Sequence, residues 1–154
     1  MTTVPLSSQD LKTLQRSCAQ TASLLMACAL FTGLYLSLVA MKVIDADFQT
    51  VLSAHLNALL GCFWLLGVGW SLQFFYGIFS RTQRMIRFMV LANYANWFLT
   101  LIKAHFHVAG IQLDSNRVNN LVLGALTLFV VLPALLSTWM WIQGLYKKPE
   151  DANP

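Results

Sequence analysis

Apolar residues gather in four long blocks, approximately Ala19–Val39, Ala54–Ile78, Met85–Phe106 and Asn120–Leu145, with short polar stretches between them. Each block has about 20 residues or more, enough to cross a hydrocarbon core of roughly 30 Å at 1.5 Å per residue. The pattern predicts four membrane-spanning helices. Connections this short make consecutive helices antiparallel neighbours, so the expected fold is all-α, an integral membrane four-helix bundle. The first block is too long for a signal peptide and has no small-residue cleavage site after it. The expected layout is a tail over 1–16, the bundle over 17–146 and a second tail over 147–154.

Composition agrees with this reading. Of 154 residues, 57% are hydrophobic and 10% charged, against roughly 25% charged in an ordinary soluble domain. Ordinary cytosolic and disordered classes are excluded. With four spans, both ends of the chain share a side with the connection between the second and third blocks. That side carries Lys12, Arg16, Arg81, Arg84, Arg87, Lys147 and Lys148, which is 7 of the 10 basic residues. The positive-inside rule then places both termini in the cytoplasm, with the bundle in the inner membrane. The net charge of +4 belongs to membrane edges and anionic lipid, not to nucleic acid. Cys18, Cys28 and Cys62 show no metal or redox spacing and read as small apolar residues.

Polar side chains inside a span are expensive, so they mark helix contacts or a cavity. In the third block Asn93, Asn96, Thr100, Lys103 and His107 fall within an arc of about 80° at 100° per residue. The stripe predicts either interhelical hydrogen bonding or a cavity lining. The second block carries His55, Cys62, Gly69 and Gln73 on one narrow face. A histidine there serves either as a hydrogen-bonded helix partner or as a ligand, with one nitrogen on a metal and the other donating to an oxygen. His105 and His107 compete for a ligand role but are expected to lie beyond the end of the third span, in a loop-like stretch with Lys103 and Asp114. A weaker stripe in the first block joins Thr21, Cys28, Thr32 and Tyr35. Another in the fourth joins Asn120, Gly124, Thr127, Thr138 and Trp141, with Pro133 predicting a kink. Trp139 and Trp141 read as interfacial anchors, while Tyr94, Trp97 and Trp64 lie deeper and suit an aromatic pocket.

No GxSxG, HExxH, P-loop or dinucleotide fingerprint occurs, and no carboxylate lies inside any block. An enzyme built from these spans therefore needs the chemistry of a bound cofactor.

The segment Ala54-His55-Leu56-Asn57-Ala58-Leu59-Leu60-Gly61-Cys62-Phe63-Trp64, with Tyr94-Ala95-Asn96-Trp97, resembles the hydroxylaminobenzene mutases. More distantly it is similar to the styrene oxide isomerases. The resemblance runs from Ser53 to Lys147 and includes the four-span layout. It implies a small membrane isomerase that turns an aromatic hydroxylamine into a 2-aminophenol. In the styrene oxide isomerase branch it further implies haem b held between the subunits of a homotrimer, with His55 at the axial-ligand position. On this reading His55 holds a ferric haem whose iron is a Lewis acid. Asn96, Asn57 and Thr100 are the candidate catalytic residues, acting with Asn93 on the polar end of a small aromatic substrate. Tyr94, Trp97 and Trp64 enclose its ring.

Three positions depart from the family pattern. Gly61 replaces an expected Asn, Thr100 stands where the epoxide isomerases carry a Tyr, and Asn57 stands where many mutases carry an acid. The alternatives are a haem-dependent epoxide isomerase and a non-catalytic membrane haem-binding protein.

Overall fold

The computed structural model describes residues 6–146. The tail over 147–154, with Lys147 and Lys148, lies outside the described residues, as does the head over 1–5. Among the described residues all the regular structure is helical, with no strand. Helix α1 is Ser8–Ala40, α2 Phe48–Ser71 and α3 Phe79–Phe106. Helices α4 (Arg117–Leu126) and α5 (Leu132–Tyr146) are joined without a break by a π-helical turn, Thr127–Val131, and make one fourth span. Four helices, Ser8–Ala40, Phe48–Phe74, Phe79–Phe106 and Arg117–Tyr146, are long and apolar enough to cross a membrane.

The helix boundaries follow capping chemistry more than hydropathy. Helix α1 begins at Ser8, eleven residues before the first apolar block, so residues 8–16 are helical. Ser7 and Asp10 form a reciprocal capping box there, satisfying otherwise orphaned backbone donors. Asp47 caps α2 and Asn116 caps α4. The second span ends earlier than its block: a short 3-10 turn at Leu72–Phe74 closes it, and residues 75–78 form the link to α3. At the other end of α3, His107 adopts the left-handed conformation (φ 51°) and stops the helix.

Just upstream of Pro133, where the sequence predicts a kink, the helix makes a π turn. Proline has no N–H to donate to the carbonyl four residues back. The Leu132 N–H instead reaches Thr127 O, five residues earlier.

The core lies where α1, α2 and α3 meet. Leu14, Cys18, Ala22, Leu25 and Ala29 recur every three or four residues along one ridge of α1. They pack against Ala58, Cys62, Leu65, Val68 and Leu72 of α2 and Met85, Ile86 and Met89 of α3. Small residues on these ridges let the backbones approach closely, which is how helices associate where lipid removes the hydrophobic drive. The fourth span packs on α3 and leaves most of its apolar side chains exposed, including Leu121, Leu128, Leu135 and Trp139. Trp141 is not a free anchor: its Nε1 donates to Ser71 Oγ at 2.9 Å, tying α5 to the end of α2.

Asn119 and Asn120 organise the link before α4. Asn119 Oδ1 accepts from Gly110 N (2.7 Å), and Asn120 bonds both the N–H and the carbonyl of Asp114 (2.9 and 2.7 Å). Asn120 therefore holds a loop and does not join a polar face of the fourth span.

Candidate functional site

His55 sits two turns into α2, on the face that packs against α1. Its Nδ1 lies 2.8 Å from the carbonyl oxygen of Ala29. A carbonyl oxygen only accepts, so Nδ1 carries the proton and donates it. With the proton on Nδ1, the neutral tautomer is the one whose lone pair is on Nε2. Gly33, one turn beyond Ala29, makes room for the imidazole: a Cβ at that position would lie 3.2 Å from His55 Cε1. A ligating histidine has this arrangement, one nitrogen fixed by a backbone acceptor and the other without a partner among the described residues, and so does a histidine that only ties two helices together. Among the described residues no three His, Cys, Asp or Glu side chains cluster to hold a bare metal ion. A haem asks for less, one axial imidazole, and His55 fits that demand.

The polar stripe of α3 lies on a different seam. Asn93 is buried, with Nδ2 donating to Met89 O at 2.8 Å. Thr100 is buried too, and its hydroxyl donates to Asn96 O at 2.6 Å. Asn57 Nδ2 crosses from α2 to Thr100 Oγ1 at 3.3 Å. Among the described residues the half-buried Asn96 amide has no hydrogen-bond partner, so both its donor and acceptor capacity are open. His107, the expected last member of the stripe, is off the helix and faces Asp45 at 3.6 Å in solvent.

Residues two apart on a helix point about 160° from one another. His55 and Asn57 therefore occupy opposite flanks of α2. The structure brings Asn57 and Thr100 together at the α2–α3 seam, with Asn96 one turn before Thr100 on the same helix, but places His55 on the α1 side. The aromatic residues expected to enclose a ring also divide. Tyr94 turns to α1 and donates to Thr21 O at 2.8 Å, while Trp97 Nε1 donates to Thr32 Oγ1 at 2.9 Å. Trp64 is half-buried against the main core.

A pocket of about 400 Å³ opens between α1 and α3, near the end of the bundle away from the termini. Phe31, Thr32 and Tyr35 form one wall; Trp97, Leu101, Ile102, His105 and Phe106 form the other. The volume is within the usual range for small-molecule sites. His105 is not in a loop: it belongs to the last turn of α3, and its Nδ1 lies 3.3 Å from the Tyr35 hydroxyl. Hydropathy alone hides this residue, because Lys103 and His107 beside it suggest a helix already ended. The i, i+4 ridge Trp97, Leu101, His105 is the signal that could have found it.

Compared with known proteins, the chain matches no family model, no curated protein and no solved structure.

Proposed function

We propose that the protein is a membrane isomerase of the hydroxylaminobenzene mutase type, carrying the hydroxyl oxygen of an aromatic hydroxylamine from nitrogen to the neighbouring ring carbon. In that rearrangement the N–O bond breaks and a C–O bond forms. The ring carbon loses a proton, the nitrogen gains one, and no oxidant or reductant is consumed.

The observation that carries the reading is the hydrogen bond from His55 Nδ1 to Ala29 O, which leaves Nε2 as a free ligand nitrogen inside an apolar span. His55 is the residue that would hold a haem, and a haem bound there supplies a Lewis-acidic iron. The chain itself supplies polar groups without charge. The open Asn96 amide is suited to hold the hydroxylamine N–H and O–H, since it can donate and accept at once. Asn57 and Thr100 support that edge of the seam through their shared hydrogen bond. His55 and the Asn57–Thr100 seam lie on opposite flanks of α2, and an arrangement in which two copies complete one site would bring the two kinds of group together. The proposed assembly is a homo-oligomer, and the resemblance implies a trimer.

Purified, haem-loaded protein incubated with phenylhydroxylamine tests the reading. Formation of 2-aminophenol supports it. Haem-loaded protein that leaves phenylhydroxylamine unchanged while converting styrene oxide to the aldehyde would replace it with epoxide isomerisation.

A further inference from the structure

The pocket between α1 and α3 uses none of the residues assigned to the haem or to the amide seam and shares only Trp97 with the expected ring enclosure, and its lining specifies a ligand. Five of its eight side chains, Phe31, Trp97, Leu101, Ile102 and Phe106, are predominantly apolar. Two of the polar groups are already committed. Thr32 Oγ1 donates to Cys28 O at 2.7 Å and accepts from Trp97 Nε1 at 2.9 Å. The remaining polar groups, Tyr35 and His105, stand together at one end.

Their hydrogen bond can run either way, and both directions leave the same offer. If the Tyr35 hydroxyl donates to Nδ1, then Nε2–H is a free donor and the phenol oxygen a free acceptor. If Nδ1–H donates, the phenol O–H is the free donor and Nε2 the acceptor. One donor and one acceptor therefore remain in either tautomer. No carboxylate, lysine or arginine lines the pocket, so nothing there offsets the cost of bringing in a charged group.

We propose that this pocket is a binding site for a neutral aromatic amphiphile, a one- or two-ring molecule carrying a hydroxyl or amino group that both donates and accepts. The ring lies among Phe31, Trp97, Leu101 and Phe106, and the polar group bonds the Tyr35–His105 pair. Such molecules partition into membranes, and the exposed Phe31 and Phe106 leave the pocket open on the side that faces lipid. The proposal requires neither haem nor turnover and goes beyond the isomerase reading.

The test is photolabelling of the full chain in phosphatidylcholine–phosphatidylglycerol nanodiscs with a benzyl alcohol that carries a diazirine on its ring. Labelled residues are mapped by peptide mass spectrometry. Saturable adducts on residues 31–35 and 97–106, displaced by excess unlabelled benzyl alcohol, are expected. Leu101→Trp fills the cavity and should abolish saturable labelling. Tyr35→Phe keeps the ring but removes one hydroxyl, and should weaken labelling about two- to tenfold, the effect of a single hydrogen bond. Both variants are checked for unchanged helix content and elution. Labelling that rises linearly with probe and spreads over exposed residues such as Leu128 and Trp139 would overturn the proposal. So would a folded Leu101→Trp protein labelled like the parent, or equal saturable labelling by a probe without the hydroxyl. Saturable labelling in a protein that leaves phenylhydroxylamine unchanged would leave the pocket standing and the mutase reading refuted.

Discussion

The imidazole of His55 and the carbonyl of Ala29 are joined across the α1–α2 seam at 2.8 Å, so Nδ1 carries a proton and donates it. Gly33 makes that approach possible, since a Cβ there would stand 3.2 and 3.4 Å from two atoms of the ring. Gly33→Val should push the imidazole off Ala29 and reduce haem retention by about tenfold, the lower end of what loss of such a supporting contact costs. The haem-to-protein ratio after purification measures this. A Gly33→Val protein as haem-rich as the parent would show that the Ala29 contact does not support a ligand.

A second glycine tests the packing account. A Cβ at Gly61 would meet Asn93 Oδ1 at 2.5 Å and Leu25 at 3.0 Å, whereas one at Gly67 would meet nothing within 4 Å. Gly61→Ala should destabilise the fold by about 1–3 kcal/mol through overpacking. Gly67→Ala should be neutral or stabilising by up to about 1 kcal/mol, from helix propensity. Unfolding in mixed micelles by added denaturing detergent gives both values. Equal effects at the two positions would contradict the close approach of α1, α2 and α3 at Gly61.

Much of this was legible in the sequence, and the failures have physical causes. The four spans appear as four apolar blocks, because a helix in lipid is apolar all round except at its buried polar contacts. Their ends were less legible. Residues 8–16 are polar yet helical, since the capping box at Ser7 and Asp10 sets the start, not hydropathy. The stripe on α3 was visible as a stripe, but Asn93 and Thr100 spend their hydrogen bonds on carbonyls one turn back. Which helix each face meets is a tertiary fact. One wheel cannot tell that His55 turns to α1 while Asn57 turns to α3.

Outside the spans, Asp47 offers a pH test. Its carboxylate accepts from the Thr50 hydroxyl at 2.5 Å and the Thr50 N–H at 2.8 Å. These bonds, with a smaller contribution from His107, hold its pKa below the usual aspartate value. A lowered folded-state pKa means the cap's stabilisation is fully present above the ordinary value of about 3.9 and lost as the pH falls through the depressed one. Asp47→Ala should cost about 0.5–1 kcal/mol near neutrality, within the range for lost caps. The difference from the parent should vanish in strong acid, read from unfolding at a series of pH values. A gap that persists unchanged in acid would show that the charge contributes nothing.

The count of 7 basic residues on the terminal side against 3 on the other leads us to propose that the terminal side is cytoplasmic. In a background with Cys18, Cys28 and Cys62 replaced, Leu113→Cys should react with a membrane-impermeant maleimide added outside intact cells. Ser80→Cys should react only after the cells are opened. The reverse pattern would invert the topology.

The most direct measurement is the visible absorption spectrum of the purified protein beside that of His55→Ala and His105→Ala. If His55 Nε2 holds a haem, the parent and His105→Ala proteins show a Soret band, and His55→Ala loses most of it together with isomerase activity. An unchanged Soret band in His55→Ala, or none in a folded parent protein supplied with haem, would contradict the account.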